Sequence, residues 1–162
     1  MAAVGDPFQP IAVGLLMGAI ESGQDILLGG GCQMLAVLAL ALNEVEPKLR
    51  SNFVEKILIG TTSWLVEESL SSSKKRNSFI HLMNHVAKHF KVNLLGLASG
   101  YRFNDSKQKV LRDYEIGYVK EGVGAGALSL LAQIKGLTQK EMIEKCDKEV
   151  GNLIKSKDEQ TI

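Results

Sequence analysis

Ile26-Leu27-Leu28-Gly29-Gly30-Gly31-Cys32-Gln33-Met34-Leu35-Ala36-Val37-Leu38-Ala39-Leu40-Ala41-Leu42 is the stretch that decides the fold. A short apolar run, a run of glycines and then residues apolar on every side read as strand, turn and central helix. Two further β-rich apolar runs, Lys56 to Thr62 and Val92 to Ala98, stop at small polar residues and lead toward helical sequence. Upstream, Asp6 is placed to cap a helix with Pro7 in its first turn and Phe8, Ile11, Ala12, Leu15, Leu16, Ala19 and Ile20 at helical spacing, ended by Gly23. Gly14 and Gly18, four apart on that helix, predict tight packing against another backbone. Downstream, Thr138 and Glu141 form a capping box, and Ile143, Cys146, Val150, Leu153 and Ile154 make a packing stripe along a final helix. The alternation predicts the α/β class: a three-layer, Rossmann-like parallel sheet flanked by helices, with a C-terminal helix. Residues 1–155 read as a single α/β domain and 156–162 as a frayed tail. Three strands are few for such a sheet, which points to part of a larger α/β fold.

Composition bounds the partners. The 162 residues are 45% hydrophobic and 23% charged, which excludes a disordered tail, a collagen-like repeat and a polytopic membrane protein. Nineteen basic against eighteen acidic residues leave no electrostatic case for nucleic acid. No Lys or Arg precedes Lys48, so the basic start of a signal peptide is missing, and the longest uncharged apolar stretch, Met34 to Leu42, is too short to span a bilayer. Cys32 and Cys146 sit in apolar helical patterns, as free thiols do in a reducing cytoplasm. The expectation is a cytoplasmic protein with no membrane and no nucleic-acid partner.

In open parallel sheets, ligands bind beyond the carboxyl ends of the strands. Gly29, Gly30 and Gly31 allow a phosphate to approach the next helix N-terminus, or simply make a tight turn. Thr61, Thr62 and Ser63 end the second strand, and Ala98, Ser99 and Gly100 the third, with hydroxyls that either meet a substrate or cap the next element. In Lys120-Glu121-Gly122-Val123-Gly124-Ala125-Gly126-Ala127-Leu128, three glycines open an apolar helix at a cost of up to about 1 kcal/mol each relative to alanine. A flat ligand on bare backbone with Glu121 at its polar edge accounts for them, as does packing of the glycines against a neighbouring helix with Glu121 favouring its own helix dipole. His81, His85 and His89 share a spacing but point away from Phe79, Met83, Val86, Ala87 and Phe90, so they read as solvent-facing, with no metal site. Ser69 to Asn77, with Lys74, Lys75 and Arg76 in line, reads as a solvated loop.

Glu121-Gly122-x-Gly124-Ala125 before an apolar helix resembles the Glu-Gly-Thr/Ser-Gly-Ala motif of the nicotinate-nucleotide:dimethylbenzimidazole phosphoribosyltransferase family. Gly29-Gly30-Gly31-Cys32-Gln33-Met34 and Tyr114-Glu115-x-Gly117-x-Val119-Lys120-Glu121-Gly122 are closer to its archaeal branch. The chain is similar in element order to the family's C-terminal part, and the resemblance implies that a larger enzyme includes an upstream half with a second glutamate and a phosphate loop. That family moves phosphoribosyl from nicotinate mononucleotide to a benzimidazole-type base in assembling the lower ligand of cobalamin. The resemblance implies Glu121 as the catalytic base, Gly122 and Gly124 letting the rings lie close, and a homodimer; Gly29, Gly30, Gly31, Thr61, Thr62 and Ser99 are candidate substrate contacts from their places at the strand ends, and no cofactor or metal is expected. It departs where the family's Asp-Gly-Phe run is Gly29-Gly30-Gly31 and where Thr61-Thr62-Ser63-Trp64 stands near its His-Arg-Ser-Ala-Glu run. The alternative from the residues alone is a non-catalytic assembly module or another nucleotide-binding α/β module.

Overall fold

A computed structural model describes residues 7–71, 78–117 and 124–159. The chain runs α1 (Phe8–Glu21), β1 (Ile26–Gly29), α2 (Cys32–Glu44), a 3-10 turn (Pro47–Leu49), α3 (Arg50–Glu55), β2 (Ile57–Thr62), α4 (Ser63–Ser71), α5 (Phe79–Phe90), β3 (Leu95–Ser99), α6 (Lys109–Arg112), α7 (Ala125–Ile134) and α8 (Gln139–Glu159). The three strands form one parallel sheet in the order β1-β2-β3. The α/β architecture, the flanking helices and the C-terminal helix are those the alternation predicts.

The glycine turn works as its chemistry requires. α2 starts directly after it, and Leu35, Val37, Leu38, Ala41 and Leu42 are almost fully buried, so the helix without a polar side is the centre of the main core. Leu28 and Ile59 of the sheet, Phe79 and Val86 of α5, and Leu16 of α1 close round it. α5 begins at Ser78, whose hydroxyl accepts from the His81 amide, and His81, His85 and His89 all face solvent. Among the described residues no three His, Cys, Asp or Glu side chains gather as a metal site would require.

Strand pairing sets the two faces of the sheet. Leu28, Ile59 and Gly96 stand in one row, and Met83 of α5 packs against Gly96. One residue on, Gly29, Gly60 and Leu97 form the row on the opposite face, where α7 crosses all three strands. A Cβ at Gly126 would stand 2.4 Å from the Thr61 Cα, and one at Gly60 would stand 3.1 Å from the Ala127 Cα. The helix therefore lies on the sheet with backbone against backbone.

α8 is held by a second, smaller core. Ile143 packs with Phe103 and Leu111, and Cys146, Val150, Trp64 and Tyr114 surround them. Thr138 and Glu141 make the expected capping box, with the Thr138 amide donating to Glu141 at 2.9 Å. Asp147 accepts from the Ser106 hydroxyl and from the Lys107 amide at 2.9 Å, which ties the helix to the turn before α6. Burial pushes the Asp147 carboxyl up, but the Ser106 hydroxyl, the Lys107 and Gln108 amides and the Lys107 charge outweigh it and hold the group below its ordinary 3.8.

Several expectations need correction. Gly14 and Gly18 have no neighbour within 4 Å of where a side chain would stand, and Leu15 between them is 71% exposed, so this face of α1 is not packed among the described residues. The α8 stripe ends at Val150; Leu153 and Ile154 are 62% and 43% exposed because the Phe103 cluster does not extend beneath them. α8 itself continues to Glu159, past Lys155 where fraying was expected. α4 reaches Ser71, so the start of the expected Ser69 loop is helix, while Lys74, Lys75 and Arg76 lie outside the described residues. Pro7 is the N-cap of α1 rather than its first helical residue, and Asp6 lies outside the described residues.

Gly126→Ala should therefore destabilise the chain by about 1–3 kcal/mol in urea unfolding, because the added methyl meets backbone that can give little. Gly14→Ala, in open space on a helix, should stabilise it by about 0.5–1 kcal/mol. The Asp147 carboxylate contributes stability that is complete above the ordinary value of 3.8 and vanishes as pH falls through its lower native value. Urea unfolding between pH 5 and 3 should show a shallower loss for Asp147→Asn than for the unsubstituted chain.

Candidate functional site

The carboxyl ends of the strands bring together residues that the sequence holds far apart. At β1, Gly29 leads into Gly30, whose amide donates to the Gly60 carbonyl at 3.0 Å, and Gly31 caps α2. At β2, Thr61 and Thr62 are buried, and Thr62 is the register partner of Ser99 at the end of β3. Onto these ends comes the first turn of α7. A Cβ at Gly29 would stand 3.4 Å from the Gly124 Cα and 2.4 Å from the Ala127 Cβ. The two glycine runs singled out in the sequence thus meet at one place.

The electrostatics follow from the caps. α2 and α7 are both capped by glycine, which has no side chain to accept from the first-turn amides. Gly124 holds φ at +81°, a conformation that disfavours other residues, and among the described residues nothing lies within 4 Å on its side-chain side. Two helix N-termini that have no side-chain cap thus start close to Gly29, and their dipoles favour an anion there. Gly29 itself is accounted for by α7, since Ala127 fills the space a side chain would need.

Beside this point lie hydroxyls without partners. Ser99 is 1% exposed, and among the described residues its Oγ, like Ser63 Oγ and Trp64 Nε1, is buried with no hydrogen-bond partner. A buried polar group left unpaired costs about 1–3 kcal/mol, a cost that a water or a ligand at the strand end would offset. The Gly100 amide beside Ser99 donates to Gln133 Oε1 of α7 at 2.9 Å, which leaves the Ser99 hydroxyl as the unsatisfied group there.

Sequence reasoning missed the aromatic wall next to these hydroxyls. Trp64 stacks on Phe103 at 5.4 Å between ring centres and tilts against Tyr114 at 5.3 Å. Arg102 lies 5.8 Å over the Trp64 ring and pairs with both Glu67 and Glu115. Trp64, Tyr114, Glu67, Glu68 and Glu115 line a cleft of about 310 Å³ that starts where β2 ends. The available signal was the chain's single tryptophan directly after Thr61-Thr62-Ser63. Gly60 was also missed as a site builder, because close approach between segments leaves no local pattern, and Gly126, expected against a neighbouring helix, lies on the Thr61 backbone of β2 instead. Cys146 packs behind this wall in the Phe103 cluster; burial first, then the Asp147 charge, pushes its thiol up and away from the reactive thiolate. Glu121 and Gly122 lie outside the described residues, immediately before Gly124 in the chain.

Fold and site together define an α/β protein that gathers glycine turns, helix N-termini and buried hydroxyls at the carboxyl end of a parallel sheet. No family model matches the chain. It is similar to a UPF0284 protein of Prochlorococcus marinus, 54% identical over 154 residues that cover 95% of this chain and 38% of that protein. A UPF0284 protein from another Prochlorococcus marinus strain is 44% identical over 98% of this chain and 40% of its own length. One from Rippkaea orientalis is 39% identical over 89% and 36%. The chain spans about two-fifths of the length of these curated relatives. They are cyanobacterial proteins, where the wording of the glycine motifs had pointed to an archaeal branch. Among the described residues no helix is long and apolar enough to cross a membrane.

Ser99→Ala should leave the thermal midpoint unchanged or raise it, by up to about 1 kcal/mol of stability, because it removes an unpaired buried hydroxyl. A hydroxyl kept only for packing or for an internal hydrogen bond would instead show a loss on the same substitution.

Proposed function

We propose that this chain supplies the acceptor-activating part of a phosphoribosyltransferase that transfers phosphoribosyl from nicotinate mononucleotide to a benzimidazole-type base. The observation that supports the reading is the close approach of Gly124 to Gly29, where a Cβ built on Gly29 would stand 3.4 Å from the Gly124 Cα at the end of β1. In this reading the phosphate of the nucleotide lies at the α2 and α7 N-termini, near Gly29, Gly30 and Gly31. Thr61, Thr62 and Ser99 meet the ribose and base with their hydroxyls, and Gly122 and Gly124 leave room for a flat ring.

Glu121, three residues before Gly124, is the general base. Its carboxylate takes the proton from one ring nitrogen of the acceptor while the other nitrogen forms a bond to the anomeric carbon. The bond from that carbon to the pyridinium nitrogen breaks, its electron pair returns to the ring, and nicotinate leaves. No cofactor is needed, because the leaving group is already a cationic ring. The relatives are about two and a half times as long as this chain, and the whole protein is read as a cytoplasmic homodimer.

A second reading, a non-catalytic assembly module, is favoured by the exposure of Ile11 and Leu15 on α1. Calorimetric titration separates the two. Nicotinate mononucleotide and a benzimidazole should each bind the full-length protein, and Glu121→Gln should lower turnover by roughly 10²–10⁴ while nucleotide binding persists. Unchanged turnover would remove Glu121 from the reaction, and absence of binding by either ligand would leave the assembly reading.

A further inference from the structure

At the amino ends of the strands, away from the candidate site, α1, α2 and α3 surround an apolar groove of about 430 Å³. Met17, Ile20, Val45 and Phe53 make its floor, with room for a few aliphatic side chains, and Leu49 continues the apolar surface outward, half exposed. Asn52, on its wall, is exposed, and its side-chain amide has no hydrogen-bond partner among the described residues.

The charge at the rim runs against the helices that carry it. Glu21 is the last residue of α1 and Glu44 the last of α2, each at the negative end of its helix dipole, and neither helix has a basic residue in its last turn. A carboxylate in that place works against its own helix, and here two of them border one groove. Among the described residues Glu21 has no ion-pair partner, and Glu44 meets only the Asn43 amide at 3.4 Å. The cations nearby are engaged elsewhere. Lys48 pairs with Glu46 at 2.9 Å and Lys56 with Asp25 at 3.3 Å. Arg50 donates to the Leu42 and Val45 carbonyls at 2.9 and 3.1 Å and lies over the Phe90 ring, so it caps α2 without lining the groove. What remains is apolar surface bordered by two helix C-termini and two uncompensated carboxylates.

We propose that this groove is the docking site for an amphipathic, basic helix of another polypeptide. The helix lays two aliphatic side chains, three or four residues apart, on the Phe53 floor and sets a Lys or Arg beside Glu21 and Glu44. The apolar contact supplies affinity, while the carboxylates and the two dipoles fix orientation and turn away acidic partners. Asn52 offers the same helix a donor and an acceptor at the edge of the floor. The docking is independent of the transferase reading, since it uses the opposite end of the sheet.

Fluorescence anisotropy tests it, with a labelled synthetic amphipathic helix of leucine and lysine titrated with the 162-residue chain. That helix should bind, and the same helix with glutamate in place of every lysine should not. Leu49→Asp should weaken binding about tenfold or more, and Glu21→Gln with Glu44→Gln about fivefold or more, with unchanged circular dichroism. Glu21→Lys with Glu44→Lys should reverse the preference, so that the glutamate helix binds better than the lysine helix. Glu149→Gln, at an exposed carboxylate on α8, should leave binding unchanged. No binding, or binding indifferent to Leu49→Asp and to the charge reversal, overturns the proposal. An equal loss with Glu149→Gln also overturns it, because the attraction is then to acidic surface in general. Binding by this chain but not by the full-length protein overturns it too, and assigns the groove to the protein's own additional sequence.

Discussion

The close approach of α7 to the ends of β1 and β2 is the contact on which the site depends. It requires that three positions lack side chains at once: Gly29 and Gly60 on neighbouring strands and Gly126 on the helix. Ala127 fits between because its single methyl fills the depression the strand glycines leave. Any larger residue would lift the helix, and with it Gly124, away from the glycine turn. The cost of glycines in a helix is thus offset by a backbone contact that no side chain could make.

The two cores divide the work. The larger one, centred on α2, is made from side chains close in sequence to the strands they cover, and it holds the sheet together. The smaller one, Phe103, Leu111 and Ile143 with Trp64 and Tyr114, fastens α8 and the turn before α6 to the carboxyl end of β2. Polar ties follow the same path: the Tyr101 hydroxyl donates to the Leu137 carbonyl at 2.6 Å, and the Phe103 amide donates to Glu115 at 2.6 Å. The wall beside the candidate site is therefore rigid because packing and hydrogen bonding converge on the same few residues.

Apolar surface is left over on several elements. Phe8, Ile11 and Leu15 on α1, Leu128 and Ile134 on α7, Leu95 and Leu97 on β3 and Leu153 on α8 all face outward. α1 and α7 are apolar around their whole circumference, a pattern of helices covered on more than one side. The relatives are far longer than this chain, and surfaces of this kind are where further protein docks.

The local elements were legible because their signals are local. The Ile26–Gly29 strand, the apolar helix from Cys32 and the Thr138–Glu141 capping box each declare themselves within a few residues. By itself the sequence determined the α/β class, the three parallel strands and the residue types gathered at their ends. It could not distinguish the packing glycines from the open ones: Gly14 and Gly18 look like a packing pair yet face open space, whereas Gly126 sits on Thr61. Nor could it foresee that Trp64 and Phe103 would stack, or that Ser99 would be buried without a partner. Those facts belong to tertiary structure alone, because they depend on distances between segments far apart in the chain, and residue spacing encodes periodicity along one segment only.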